Sequence, residues 1–246
     1  LIMQEGVEAV VQMTCRDRNR IGLQSDLLGL AALGLENIVC MTGDHPCNGN
    51  HPGAKPVYDL DALTWLQTAS RMVAGTFQCG EAIKQPPKVF IGAVENPFAP
   101  PYDYRVSRLV KKIKAGARFI QTQCVFDLGY LRQFMAGVVE RGMDQRARVL
   151  VGITPLKSPR MARHMQSSVP GVQVPEALCV RMEQAADPKA EGIAIAVELI
   201  QQVRDIPGVG GIHLMPVLWE DVVPIVVERA GLLPRPILAA SAAVTA

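Results

Sequence analysis

An apolar run that breaks at a glycine and ends on a carboxylate, Asn37-Ile-Val-Cys-Met-Thr-Gly-Asp44, is the first place in this chain where chemistry is expected. Such a run between turn formers reads as a buried strand, and the C-terminal ends of parallel strands are where α/β sheets build their sites. Asp44 is therefore either a site carboxylate or a plain helix cap or turn residue. Other apolar runs close in the same manner, on Thr14, Asn96, Gln123 and Thr154. Gathered at one mouth with Thr42 and Gly43, these residues form a polar, almost uncharged set that suits an uncharged, hydrogen-bonding ring. They include no His pair, no Ser-His-Asp combination and no carboxylate cluster, so hydrolysis by metal or nucleophile has no support.

Two further groups need weighing. Arg105, Arg108 and Lys112 recur at helical spacing, with Lys111 and Lys114 beside them. That stripe is either a solvated helix face or, since the helix follows directly on the Asn96-Pro97 strand end, a grip for phosphate or pyrophosphate. His45, Cys47 and His51 share one loop, but a fourth ligand at suitable spacing is missing, and no metal is expected. His213 reads as a hydrogen-bonded core histidine rather than a base, and Trp219 as a core anchor or a pocket wall.

The elements that must position these residues follow from periodicity. Strands are expected at Val7 to Met13, Ile38 to Met41, Lys88 to Val94, Ala117 to Thr122, Arg148 to Ile153 and Gly211 to Met215. Helices are expected over Ile21 to Leu35, from Asp59 or Asp61 to Ala74, Asp103 to Ala115 and Leu128 to Arg141. Three more follow Pro159, Pro175 and Pro188, and a last one runs from Val217 to Ala230. The loop from His45 to Val57 is too long for a mere connector and is a candidate cap over a site. Strict alternation argues for parallel strands with right-handed crossovers. A glycine-rich dinucleotide turn is missing after the first strand, so a TIM barrel showing six of its eight βα units is preferred over a doubly wound sheet. No linker divides the chain, and residues 1–246 are expected to form one domain.

Bulk properties narrow the classes. The 246 residues are 49% hydrophobic and 20% charged, which fits a domain with a large core. A net charge of +2 and 5% aromatic residues argue against a nucleic-acid partner. Six scattered cysteines without a C-x-x-C pair suggest free thiols of a reducing compartment. Neither a membrane span nor a signal peptide is evident, and a cytoplasmic location is expected.

In order and spacing, Gln12-Met-Thr-Cys15, Met41-Thr-Gly-Asp44, Ala93-Val-Glu-Asn-Pro97, Lys112-Ile-Lys-Ala-Gly-Ala117, Thr122-Gln123 and Phe126-Asp127 are a connected set. Gly152-Ile-Thr-Pro155 and Gly211-Ile-His-Leu-Met215 extend it, so that it covers Val7 to Leu232. This set resembles the methylenetetrahydrofolate reductase family, a flavin-binding TIM-barrel group. The resemblance implies reduction of 5,10-methylenetetrahydrofolate to 5-methyltetrahydrofolate, with hydride passing from NAD(P)H through a bound flavin, FAD or alternatively FMN. It implies that Asp44 stands beside flavin and folate, and that Gln123 touches folate and the nicotinamide donor in turn. It also implies flavin contacts at Gln12, Thr14, Thr42, Gly43, Asp59, Gly92, Asn96, Ala99, Arg105, Arg108, Lys111 and Lys112.

The departures from the family pattern are specific. Arginine is usual where Thr42 stands, a charged or imidazole side chain where Gln12 and Asn96 stand, an arginine at Trp219 and a glutamine at Met161. The family's general acid is a glutamate on the first barrel strand, and the first strand visible here corresponds to the third. A homo-oligomer or membership in a complex is expected. The alternative to a reductase is a non-catalytic subunit that binds folate or a partner enzyme.

Overall fold

The computed structural model describes residues 2–234. Six strands form one parallel sheet: β1 (Val10–Thr14), β2 (Asn37–Met41), β3 (Phe90–Glu95), β4 (Phe119–Cys124), β5 (Arg148–Ile153) and β6 (Val209–Leu214). Their order in space is their order in the chain. A doubly wound sheet reverses direction at a switch point, whereas a barrel steps the same way at every crossover. The molecule is therefore an α/β fold of six consecutive βα units in barrel order. Among the described residues, the outer sides of β1 and β6 carry no further strand.

Among the described residues eight helices connect and flank the strands: α1 (Arg20–Ala32), α2 (Ala62–Val73), α3 (Arg105–Lys114), α4 (Leu128–Glu140), α5 (Pro159–Ser168), α6 (Glu176–Gln184), α7 (Pro188–Arg204) and α8 (Val223–Arg229). Their starts are chemically marked. Asn19, Asp61, Asp127, Ser158 and Asp187 each accept first-turn amides at a helix N-terminus. Between sheet and helices lies the apolar layer, with Ile38 and Cys40 of β2, Ile91 and Ala93 of β3 and Val149, Val151 and Ile153 of β5 facing Trp65, Leu66, Leu109 and Leu131. Alternate strand residues point to the other, concave face.

Several boundaries differ from those expected. β1 begins at Val10 rather than Val7, because its partner β2 begins at Asn37, opposite Val10. β4 is shifted two residues onward and runs through Gln123 to Cys124. The expected last helix divides: Leu218 has φ 52°, Glu220–Val222 form a 3-10 turn, and α8 starts only at Val223, one residue before Pro224. The expected helix from Asp103 begins instead with a 3-10 turn at Tyr102–Tyr104 before α3. All six cysteines are unpaired. Among the described residues no helix is long and apolar enough to cross a membrane. The Ala-rich tail after Pro236 lies outside the described residues.

Candidate functional site

At the crest of β1 and β2 the strand ends form a tight polar knot. The Thr14 hydroxyl donates to Asp17 at 2.8 Å, and the Arg16 guanidinium holds the same carboxylate through Nε at 2.8 Å and Nη2 at 2.9 Å. Those bonds lower the Asp17 carboxyl to about 2. Nη1 of Arg16 also reaches the Asp44 carbonyl at 3.3 Å. Gly43 turns the chain with φ 87°, and a Cβ there would lie 3.0 Å from that of Arg16 and 3.1 Å from that of Thr14. The turn thus demands glycine on both conformational and steric grounds. It leaves Asp44 exposed on the rim. The loop expected to cap a site returns here: amides of Val57 and Tyr58 bond to carbonyls of Arg16 (2.8 Å) and Cys15 (3.1 Å), and the Tyr58 hydroxyl donates to Gly43 at 3.2 Å.

Two expected contacts are engaged within the protein. Thr42 Oγ1 accepts the Ala62 amide of the first turn of α2 at 3.1 Å. Asp59 receives Arg20 through its backbone amide, Nε and Nη2 at 2.9, 2.7 and 2.8 Å, which lowers its carboxyl to about 2. Both border a groove of about 520 Å³ beside the rim, between Arg20, Tyr58 and Asp61.

The β3–α3 junction holds a buried ion cluster. The Glu95 side chain is 1% exposed, with Lys112 Nζ at 2.8 Å and Arg105 Nη1 at 3.7 Å from its carboxylate. Lys112 also donates to the Val94 carbonyl at 2.5 Å, and Arg105 to the carbonyls of Ala99 and Pro100. The inward face of α3 is Arg105, Leu109, Lys112 and Ile113, a single helical stripe. Burial pulls the Lys112 ammonium below its usual range despite the adjacent carboxylate. A solvated face therefore describes Arg108 and Lys111 but not Arg105 and Lys112. Lys111 lies 5.1 Å over the Tyr104 ring and 2.7 Å from its hydroxyl. Asn96 closes an Asx turn onto the Phe98 amide at 3.0 Å, its Nδ2 pressed against Gly171.

On β4 the register slips between Gln121 and Cys124. Thr122 Oγ1 replaces a ladder acceptor, taking the Gly152 amide at 2.9 Å. A bulge of this kind bends a strand and re-aims a side chain. Here it places Gln123 at the rim, half-buried, with Oε1 accepting the Cys124 amide at 3.0 Å. The carboxamide nitrogen of Gln123 has no bond of its own among the described residues. Gly152 is required under the bulge, since a Cβ would stand 2.6 Å from the Thr122 carbonyl and 2.7 Å from that of Gln123. His213, on β6 opposite Gly152, has a buried Nδ1 without a partner, and burial lowers its imidazole pKa. Deeper on the concave face Gln12 is exposed on the edge strand, and the Phe119 ring covers Gly92, 2.3 Å from where a Cβ would be. Trp219 is buried in the core. Among the described residues no group of three or more His, Cys, Asp or Glu could hold a metal ion.

The rim thus brings Thr14, Thr42, Gly43, Asp44, Asn96 and Gln123 to the C-terminal ends of neighbouring strands. Sequence reasoning missed Arg16 and the partnership of Glu95. The first was signalled by an Arg-Asp pair at a strand end. The second was signalled by a carboxylate closing an apolar strand, with Arg and Lys on the following helix.

A flavin nucleotide can be tested against these side chains. Thr14 and Gln123 are neutral hydrogen-bonding groups of the kind a flavin ring uses. Of the cations expected to meet a diphosphate, Arg105 and Lys112 are held at Glu95 inside the protein, and Arg108 and Lys111 lie on the solvent side of α3. The residues present therefore do not fit the phosphate-bearing half of the cofactor.

The methylenetetrahydrofolate reductase family model matches residues 1–231. A probable methylenetetrahydrofolate reductase (NADPH) of Caenorhabditis elegans is 24% identical over 231 residues, covering 92% of this chain and 33% of that protein. Methylenetetrahydrofolate reductase 2 of Schizosaccharomyces pombe is 26% identical over 239 residues, covering 93% of this chain and 36% of the relative. The chain thus spans about a third of the length of these curated relatives. A solved structure of an uncharacterized Clostridium thermocellum protein that binds two copies of 5-methyl-5,6,7,8-tetrahydrofolic acid aligns with a TM-score of 0.48 at 12% identity, over 94% of this chain and 98% of that one. With the family model matching nearly the whole chain, this polypeptide belongs to the methylenetetrahydrofolate reductase family.

Proposed function

We propose that this chain binds a reduced folate at the strand-end rim and serves the reduction of 5,10-methylenetetrahydrofolate to 5-methyltetrahydrofolate, with NAD(P)H as the source of hydride. The observation that carries the reading is the β4 bulge, which aims Gln123 at the rim that also bears the exposed Asp44. In the reaction the bond from N10 to the methylene carbon breaks, N10 takes a proton, and the resulting N5 iminium carbon accepts a hydride. The Asp44 carboxylate favours that cationic intermediate electrostatically. The Gln123 carboxamide both donates and accepts, which suits a pterin and a nicotinamide amide in turn.

The test is a titration of the full chain with 5-methyltetrahydrofolate, followed by tryptophan fluorescence, beside Asp44→Asn and Gln123→Ala. Saturable binding weakened by both changes supports the reading, and its absence in the unaltered chain refutes it. NADPH oxidation dependent on 5,10-methylenetetrahydrofolate then separates a reductase from a second reading, a non-catalytic folate- or partner-binding subunit. Among the described residues the outer side of β1 carries no strand, and an edge of that kind is a pairing surface for another chain, which favours that second reading. It also supports assembly as an oligomer or in a complex.

A further inference from the structure

We infer that this chain takes its reduced folate without a flavin nucleotide: two of the four cations expected to grip flavin phosphates, Arg105 and Lys112, are held inside the fold. The inference rests on the folate reading above. At the β3–α3 junction Lys112 pairs with the Glu95 carboxylate at 2.8 Å and Arg105 stands 3.7 Å from it, so recruiting either to a ligand would break a buried contact. Arg105 also braces the carbonyls of Ala99 and Pro100, so turning it outward would release the loop that follows β3.

Three other expected contacts are also engaged within the protein. Thr42 caps α2, Asp59 is held at three points by Arg20, and the backbone of Gly92 lies beneath the Phe119 ring. That ring stacks on Phe90 with centroids 5.6 Å apart. Arg108 and Lys111 are the cations of α3's first two turns that remain, and both lie on its solvent side, Lys111 against Tyr104. By contrast, two rim groups retain capacity: Gln123 keeps its carboxamide nitrogen, and Asp44 keeps an exposed carboxylate. A site whose inward cations are held by Glu95 and by backbone carbonyls, while a carboxamide and a carboxylate stay open at the rim, favours a ring over a diphosphate.

The experiment uses the full chain stripped of any carried-over flavin. It is titrated with 5-methyltetrahydrofolate alone, then with FAD at saturating concentration, while FAD and FMN are separately titrated by flavin fluorescence. Expected are saturable folate binding, a dissociation constant changed less than about twofold by FAD, and no saturable flavin binding at micromolar concentration. Stoichiometric FAD or FMN, or folate affinity raised more than about tenfold by either, overturns the inference and leaves the folate reading standing. Failure to bind folate with or without flavin overturns the reading itself.

Discussion

Glu95 shows how a single side chain decides what its neighbours can do. Its carboxylate is nearly inaccessible and faces two cations, so replacement by Ala leaves Arg105 and Lys112 buried without a counter-charge. Breaking a buried pair by removing one partner costs about 3–5 kcal/mol. Urea unfolding of Glu95→Ala is expected to show a loss of that order, and a change below ~1 kcal/mol would mean that the cluster is solvated. Asp59 behaves differently because its pair with Arg20 is exposed. The carboxyl is lowered from 3.8 to about 2, so the pair's contribution is complete above pH 4 and declines as pH falls toward 2. The stability difference between the unaltered chain and Asp59→Asn should therefore be present at pH 6 and largely lost by pH 2. At the rim, Gln123→Ala removes one hydrogen-bonding group from a half-buried position. It should weaken folate binding about fivefold with little change in melting temperature, in keeping with the ~1 kcal/mol of an ordinary hydrogen bond.

At the scale of elements, close approach sets the limits. α7 crosses the chain after β5 at Gly192, where a Cβ would stand 1.8 Å from the Leu156 carbonyl oxygen. Gly192→Ala must push the helix outward, and over-packing of this kind costs about 1–3 kcal/mol. Gly29, exposed in the interior of α1, has nothing within 4 Å of an added Cβ, so Gly29→Ala should stabilise by about 0.5–1 kcal/mol. Opposite shifts in melting temperature would check both. The elements themselves were largely legible, since apolar runs and caps such as Asp61 and Asp187 are local signals. Which way α3 turns was not. The spacing of Arg105, Arg108 and Lys112 marks candidate faces but cannot say that Glu95, ten and seventeen residues upstream of Arg105 and Lys112, draws two of the three inward. The β4 bulge was equally hidden, because it depends on Thr122 substituting its hydroxyl in the ladder to β5, which no pattern within Phe119–Cys124 reveals.

For the molecule as a whole, the sequential order of strands was inferable from alternation and the missing glycine-rich turn, because crossover handedness leaves few topologies. The consequence that pattern could not supply is an uneven distribution of protection. β3 and β4 have strands on both sides, whereas β1 pairs only with β2 among the described residues, and Val10 and Gln12 are exposed on its concave face. Half the amides of a parallel edge strand point away from its partner and lack ladder acceptors. Native-state hydrogen exchange should therefore find amides of β3 and β4 opening only near global unfolding, and the outward amides of β1 exchanging with little protection. The measurement also discriminates. If the outward amides of β1 gain protection as protein concentration rises, this edge is where a second copy adds. If they are protected even at high dilution, something within the native protein covers the edge, and β1 is an interior strand of a closed barrel.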